Sequence, residues 1–259
     1  MSASTVIVHR DEETLAQAVA ARLITRLVDG QVGGRFAHVV LTGGGMGNRT
    51  LAAVASSPAR AAVNWSALHV WWGDERYLPA GDPERNETQA RAALLDAVSV
   101  DPALVHPMAA SDGPFGRDVD AAAGAYADEL EAATRPEDHG AVPSFDVLML
   151  GVGEEGHVAS LFPEMPALYD ERSAVGVHGS PKPPPTRISL TFPSIRAARE
   201  VWLITAGASK AGAVRMALSG AGPVQVPAAG ALGRQRTLWL LDRPAASELP
   251  AGLARLASP

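Results

Sequence analysis

Short apolar runs rich in β-branched residues alternate along this chain with longer segments of helical periodicity. Strand-like runs occupy 5–9, 36–41, 68–72, 145–151, 201–205 and 237–241, with a further short strand suggested at 105–108. Helices are predicted from Asp11 to Val28, near 48–56, over 86–97, over 117–133, and in a last segment that ends near Leu218. This order predicts an α/β fold in which a mostly parallel, Rossmann-like sheet has helices on both faces.

The run "FDVLMLG" (145–151) is apolar on both of its faces, as a central parallel strand should be. In open sheets of this kind, ligands bind beyond the carboxyl ends of the strands. No internal repeat or clear linker divides the chain, and the proline-rich "SPKPPPT" (180–186) is better interpreted as a rigid extended loop than as a boundary. We therefore predict one domain over residues 1–259.

Composition narrows the class of protein. Hydrophobic residues make up 47% and charged residues 19%, a soluble globular balance, and there is no cysteine for disulfide or thiolate chemistry. The formal net charge of −6 disfavours nucleic acid and acidic membranes as partners. We expect a cytoplasmic protein, a monomer or weak homodimer, with a small-molecule partner. Of its 22 basic residues only Lys182 and Lys210 are lysines, which suggests a specific need for an ammonium group at both positions.

The loop after the second predicted strand, "VVLTGGGMGNRTL" (39–51), is rich in glycine. Glycine lets backbone N–H groups approach an anion closely, and the following helix directs its positive end to the same point. Gly43, Gly44 and Gly45 are therefore candidate binding residues. The loop is neither a Walker A loop nor a dinucleotide fingerprint, and a simple tight turn remains the alternative.

Charged residues follow the third predicted strand in "HVWWGDERYLPAGDPERN". Arg76 in this run is able to grip a phosphate through two parallel hydrogen bonds. On its own, however, the run favours a surface salt-bridge cluster.

The stretch "VLMLGVGEEGHVASLFP" (147–163) places Glu154, Glu155 and His157 where a buried strand leaves the core. A histidine exchanges protons near neutral pH, and an adjacent carboxylate is able to orient it as a general base. The alternative is a capping or core-edge histidine. No Gly-x-Ser-x-Gly turn accompanies Ser160, so water is the expected nucleophile.

The other histidines give no indication of a metal site. They show neither the paired spacing of metal ligands nor a cysteine to join them; they are His9, His38, His69, His106, His139 and His178.

The segment "VWLITAGASKAGAVRMAL" (201–218) places Lys210 in the first turn of a helix, where a cation is unfavourable unless an anion bridges the two. A lysine that points into solvent is the alternative. Upstream, Lys182 and Arg187 stand on an extended segment. Taken together, the four loops predict a site for a phosphorylated small molecule with one proton-transfer residue and no metal.

The same motifs resemble those of the 6-phosphogluconolactonase family. The resemblance is carried by "GEEGHVASLFP", "WWGDERYLPAGDPERN", "SPKPPPTRISLTFPSI" and "TAGASKA", in order over nearly the whole chain. It implies a glucosamine-6-phosphate deaminase/lactonase-like fold. It also implies hydrolysis of 6-phospho-D-glucono-1,5-lactone to 6-phosphogluconate in the pentose phosphate pathway, without a cofactor or metal.

The resemblance also implies roles for residues. His157 is expected to be the general base, with Asp74 and Glu155 supporting it. Arg76 and Lys210 are expected to bind the phosphate with help from the backbone of the glycine loop, and Arg187 is a further phosphate candidate. Two positions depart from the family pattern: Met46 stands where the family often has hydroxyl residues, and Glu155 replaces an aspartate.

Two rival functions remain at this point. A glucosamine-6-phosphate deaminase has a similar fold, but its typical blocks differ from "GHVASLFP" and "GDERY". A non-catalytic sugar-phosphate sensor would be expected to carry a fused DNA-binding helix pair, for which the first and last predicted strands leave no room.

Overall fold

The computed structural model describes residues 4–138, 140–250, 252–253 and 255–257. Its strands are β1 (Ser4–His9), β2 (Ala37–Leu41), β3 (Leu68–Trp72), β4 (Asp74–Arg76), β5 (Val147–Gly151), β6 (Ala174–Val177), β7 (Arg187–Leu190), β8 (Glu200–Thr205), β9 (Arg236–Asp242) and β10 (Arg255–Leu256). Its α-helices are α1 (Glu12–Gly30), α2 (Gly44–Ser56), α3 (Asn86–Ala93), α4 (Val119–Ala132), α5 (Phe192–Ala197) and α6 (Ala211–Leu218). No helix in these ranges is long and apolar enough to cross a membrane.

The main sheet has seven strands in the order β10–β1–β9–β8–β5–β2–β3, and all of its pairings are parallel. The predicted α/β fold with a mostly parallel sheet is confirmed. The chain passes outward from β2 to β3, then returns to β5 and continues through β8 to β9. The order therefore reverses between β2 and β5, and a crevice at such a point is where ligands bind in open parallel sheets.

Two apolar cores cover the two faces of this sheet. Along β5, Val147 and Met149 join the core that also contains α1 and α2, whereas Leu148 and Leu150 join the core that contains α4. This alternation explains why the strand is apolar throughout, since successive side chains point to opposite faces and both faces are buried.

Several helix boundaries differ from the sequence-based predictions. Helix α1 begins as predicted, because Asp11 is its N-cap and accepts a hydrogen bond from the N–H of Thr14 at 2.7 Å. Helix α2 begins at Gly44, earlier than the predicted 48. Helix α3 ends at Ala93, and the remainder of the predicted segment is a single 3-10 turn over Leu95–Ala97.

The strand suggested at 105–108 is wrong. Only Val105 forms a β-bridge, with Val70, and the N–H of His106 donates to the Val70 carbonyl at 2.9 Å. Pro107 follows directly and has no N–H with which to extend the ladder.

A second sheet was absent from the prediction. It consists of three antiparallel strands in the order β4–β7–β6 and pairs Asp74 with Ser189 and Arg76 with Arg187. Strand β4 has three residues, all charged, so its sequence lacks the apolar pattern of a strand. This sheet brings the charged run after β3 and the start of β7 side by side.

Candidate active site

A cavity of about 340 Å³ opens at the carboxyl ends of β8, β5, β2 and β3, four adjacent strands of the main sheet. Each of these strands contributes the loop that follows it. Of the sequence-predicted site residues, those that line the cavity are Gly43, Gly44, Gly45, Asp74, Arg76, His157, Arg187 and Lys210, while Glu155 lies beside it in contact with His157. The cavity occupies the reversal point between β2 and β5.

The glycine loop after β2 leads directly into α2. Gly43 is the N-cap residue and supplies no side-chain cap, and Gly44 has a φ of 78°, a conformation that favours glycine. A Cβ on Gly43 would lie 1.8 Å from Oδ1 of Asn86, so only glycine allows this packing. The first N–H groups of α2 are therefore left uncapped by a side chain at the cavity wall, an arrangement suited to an anion.

Asp74 is buried beneath the cavity, where its carboxylate and carbonyl are held by other parts of the protein. The hydroxyl of Ser160 donates to Oδ2 of Asp74 at 2.7 Å, and Nδ2 of Asn86 donates to the Asp74 carbonyl at 2.8 Å. Nη1 of Arg187 lies 3.9 Å from the same Oδ2. Asp74 thereby links the loops that follow β3 and β5, a contact consistent with a role in orienting the site.

Glu75 connects this region to α3. Its carboxylate accepts the N–H groups of Arg76 at 2.8 Å, Asn86 at 2.7 Å and Glu87 at 2.9 Å, and so caps the N-terminus of α3 from a distance. The buried Arg85 side chain donates to the Met108 carbonyl at 2.7 Å. Glu75 and Arg85 thus hold Arg76 and Asn86 in place rather than facing a ligand.

Arg76 is half-buried at the cavity wall. Its Nη1 donates to the carbonyl of Glu84, and its buried Nε has no hydrogen-bond partner among the described residues. The interpretation of "DER" as a surface salt-bridge cluster is therefore wrong for Arg76, which forms no ion pair within the described chain. A guanidinium with unused donors is suited to binding an anion.

His157 is placed by a tight loop after β5. The N–H of Gly153 donates to the His157 carbonyl at 2.9 Å, and a Cβ on Gly153 would lie 1.9 Å from Nδ1 of the ring. The ring also packs on Phe162 with centroids 4.4 Å apart. Gly153 is therefore required because the imidazole lies directly against its backbone.

The two ring nitrogens of His157 have different surroundings. Nδ1 is buried and lies 3.1 Å from Oε1 of Glu155, although the contact is not aligned as a hydrogen bond. Because Glu155 lies beside Nδ1 and the ring lines the cavity, Nε2 on the other side of the ring is the nitrogen left for a ligand. Burial lowers the pKa of His157 below its ordinary value, and Glu155 offsets this effect in part. The neutral ring, which is able to accept a proton, is thus favoured at neutral pH.

The chain's two lysines each pair with one of the adjacent glutamates before His157. Nζ of Lys210 lies 3.0 Å from Oε1 of Glu154, and Nζ of Lys182 lies 3.0 Å from Oε2 of Glu155. Both lysines line the cavity. Lys210 ends a 3-10 turn (Ala208–Lys210) that runs directly into α6, so it lies in the first turn of this helical segment, as predicted.

Arg187 is almost fully enclosed, with 5% of its surface exposed. Its Nε donates to the Pro184 carbonyl at 3.1 Å, and Nη2 donates to the carbonyls of Lys182 at 3.1 Å and Pro183 at 3.0 Å. Most of its donors are committed to this loop, which leaves little capacity for a phosphate.

Several polar residues lay outside the sequence-predicted site. Asn86, Thr205 and Lys182 line the cavity, and Ser160 contacts it through Asp74. Oδ1 of Asn86 and Oγ1 of Thr205 are buried oxygens with no partner in the described chain. The motifs contained Asn86, Ser160 and Lys182, but their roles depend on partners distant in sequence. Nothing in the sequence around Thr205 distinguished it from a strand end.

The remaining histidines lie away from the cavity. None of those described lines it, and His139 lies outside the described residues. No group of three or more histidine, aspartate or glutamate side chains suited to a metal ion occurs in the described parts of the chain.

Comparison with known proteins gives consistent results. Residues 10–239 match the family model described as glucosamine-6-phosphate isomerases/6-phosphogluconolactonase. The chain is 67% identical to the 6-phosphogluconolactonase of Streptomyces coelicolor, over 96% of this chain and 95% of that protein. It is 50% identical to the 6-phosphogluconolactonase of Mycobacterium tuberculosis, over 95% and 99% of the two chains.

Solved structures agree with these matches. The 6-phosphogluconolactonase of Trypanosoma brucei superposes with a TM-score of 0.81 at 27% identity, covering 96% of this chain and all of that one. A monomeric glucosamine-6-phosphate deaminase superposes with a TM-score of 0.77 at 18% identity, over 94% and 100% of the two chains, and so shares the fold.

Proposed function

Because the chain belongs to the glucosamine-6-phosphate isomerase/6-phosphogluconolactonase family, we propose that it hydrolyses 6-phospho-D-glucono-1,5-lactone to 6-phospho-D-gluconate. The observation that carries this proposal is one cavity lined by His157 and by the cationic groups of Arg76 and Lys210. The named relatives support the substrate class. The reaction is a step of the oxidative pentose phosphate pathway, and the chain acts in it as a single cytoplasmic domain.

His157 acts as the general base. Glu155 beside Nδ1 favours the tautomer with its proton on that nitrogen, which leaves the lone pair of Nε2 free. Nε2 takes a proton from a water molecule as its oxygen attacks the lactone carbonyl carbon. When the tetrahedral intermediate collapses, the bond from that carbon to the ring oxygen breaks. The imidazolium then returns its proton to the ring oxygen, which becomes a hydroxyl, and the new carboxylic acid ionises.

The phosphate is held by the cationic part of the cavity. Arg76 has unused donors, the first N–H groups of α2 lack a side-chain cap, and Lys210 lies in the loop after β8. Glu154 is exposed, so a phosphate is able to replace its carboxylate as the partner of Lys210. When these groups bind the distant phosphate, the lactone carbonyl is held in a fixed position relative to His157. This orientation of the reacting groups contributes to catalysis.

The chemistry requires neither electron transfer nor a group carrier, since water is the only co-reactant of lactone hydrolysis. The nucleophile is activated by an imidazole, and the negative charge of the substrate is met by protein cations. We therefore propose that the reaction proceeds without a cofactor or metal.

The function is tested by generating the lactone from glucose 6-phosphate with a dehydrogenase and following the formation of 6-phosphogluconate. Spontaneous ring opening is subtracted as the rate without the protein. A rate that rises in proportion to added protein supports the proposal. Ammonia release from glucosamine 6-phosphate, with no effect on the lactone, would instead identify a deaminase.

Arg76→Ala is expected to raise KM by roughly 10–100-fold with a smaller change in kcat, because it removes one or two charged hydrogen bonds to phosphate. Steady-state kinetics on the phosphorylated lactone measure this change. Arg172→Ala is the matched control, since Arg172 is exposed, pairs with Asp170 and does not line the cavity. Equal turnover of unphosphorylated gluconolactone by the unmodified protein would contradict the phosphate contact.

The value of kcat/KM is expected to remain constant through neutral pH and to fall in acid with a midpoint below about 6.5, the ordinary pKa of histidine. The reason is that burial lowers the pKa of His157, so protonation removes the base only at lower pH. The pH profile of kcat/KM, corrected for spontaneous hydrolysis at each pH, measures the midpoint. A midpoint clearly above 6.5 would mean that another group titrates.

A further inference from the structure

The carboxylate of Glu155 lies between two groups of the site. Its Oε1 is 3.1 Å from Nδ1 of His157 and its Oε2 is 3.0 Å from Nζ of Lys182. The contact with the imidazole is close in distance but not aligned as a hydrogen bond. The contact with the ammonium is a direct ion pair.

We propose that Lys182 is a positioning residue for the reaction: its ammonium holds the Glu155 carboxylate out of line with His157, so that the imidazole stays neutral and ready to accept a proton. This inference deepens the proposed function and rests on His157 as its base. It assigns a purpose to the "SPKPPPTR" segment, which the phosphate and proton-transfer roles leave unexplained.

The position of Lys182 is fixed by hydrogen bonds within its own loop. Arg187 donates to the carbonyls of Lys182, Pro183 and Pro184, and the Ser180 hydroxyl donates to the Lys182 carbonyl at 2.9 Å. The N–H of Lys182 donates in turn to Oγ of Ser180 at 3.3 Å. The three residues after Lys182 are prolines, whose fixed φ restricts the backbone. Their nitrogens carry no hydrogen to pair with the carbonyls of the loop, which remain available to Arg187. The loop is therefore held with the Lys182 side chain directed to Glu155.

The charged groups that face His157 determine whether the loss of Lys182 raises or lowers its titration midpoint. Glu155 and Asp74 favour the protonated ring, whereas burial and Lys182 favour the neutral ring. The ring also packs on Phe162 and on the backbone of Gly153, neither of which carries a charge. Removing the ammonium would therefore favour the protonated ring of His157 in two ways. It would remove a repulsive cation and release Glu155 to align with Nδ1.

Lys182→Met is expected to raise the titration midpoint of His157 by roughly 0.5–1 pH unit, about the size of one screened interaction between charges near a protein surface. The midpoint is measured by NMR of the imidazole in the free protein, and the acid limb of kcat/KM should move with it. Lys182→Arg, which keeps the positive charge, should return the midpoint towards its original value. An unchanged midpoint in Lys182→Met, with only KM raised, would overturn the proposal and make Lys182 a simple anion ligand.

A double-mutant cycle tests whether the effect passes through Glu155. Glu155→Gln should lower the midpoint, and Lys182→Met should shift it less in that background than in the unmodified chain. An equal shift in both backgrounds would overturn the positioning role. Lys210→Met is the matched control, because it removes the other cavity lysine, which pairs with Glu154 instead. It should leave the His157 midpoint in place.

The NMR titration needs no substrate. A result against the role of Lys182 is therefore distinguishable from a result against the lactonase activity. The side chain of Lys182 is 41% exposed, and methionine is able to keep its apolar part in place. A thermal melt of each variant establishes that the fold is retained before the titrations are compared.

Discussion

Replacing His157 with alanine is expected to lower kcat for lactone hydrolysis by about 10²–10⁴-fold, the usual contribution of a general base. Water is a poor nucleophile without a base, and His157 is the histidine that lines the cavity among the described residues. KM should change less, because the phosphate is bound by other groups. Steady-state rates corrected for spontaneous ring opening measure the loss.

His178→Ala is the control for this variant. His178 is an exposed histidine that pairs with Asp120 at 3.0 Å and does not line the cavity, so its loss should leave kcat unchanged. Thermal unfolding should show His157→Ala still folded, since the ring forms no aligned hydrogen bond within the described protein. Unchanged turnover in a folded His157→Ala protein would remove this residue from the mechanism.

Gly153→Ala is expected to lower kcat by about 10²-fold, because a displacement of roughly 1 Å in a reacting group is enough for a loss of that size. The added Cβ would lie 1.9 Å from Nδ1 and 2.2 Å from Cε1 of His157, far inside van der Waals contact. The backbone of Gly153 does not have a positive φ, so the collision rather than backbone strain is the cause. The imidazole must move while the phosphate groups stay in place, so kcat should fall more than the affinity.

Gly124→Ala provides the matched substitution elsewhere. Gly124 lies within α4, and an added Cβ there would meet nothing within 4 Å. This variant should keep full activity and gain about 0.4–1 kcal/mol of stability through reduced freedom of the unfolded chain. If Gly153→Ala retained the unmodified kcat, the contact between ring and backbone would have no part in catalysis.

The main sheet could be predicted because its physical cause is local. Six predicted strands, including 68–72 and 201–205, correspond to strands of the observed sheet, and each carries an apolar run that is buried when the strand forms. Parallel strands separated by helices then bring their carboxyl ends to one edge. The prediction that Gly43, Arg76, His157 and Lys210 share one end of the sheet depended only on this geometry, and the cavity contains them all.

The second sheet and the charge pairs could not be predicted in the same way. Strand β4 forms because β7 lies beside it, and no local pattern of apolar residues reveals this. The pairing of Lys182 with Glu155 joins residues far apart in the chain, and either lysine could have served either glutamate. Arg187 was a phosphate candidate as an isolated cation, but its donors are largely engaged by the carbonyls of its own loop. Cationic residues are readily found in a sequence, whereas their hydrogen-bond and ion-pair partners depend on tertiary contacts.

The central claim is that one cavity holds the phosphate at its cationic groups while presenting the reacting carbon to His157. A crystal structure with bound 6-phosphogluconate tests it most directly. We predict phosphate oxygens at hydrogen-bonding distance from Arg76, Lys210 and the first N–H groups of α2, with the product carboxylate beside Nε2 of His157. A phosphate bound outside this cavity, or a carboxylate directed away from the imidazole, would contradict the account.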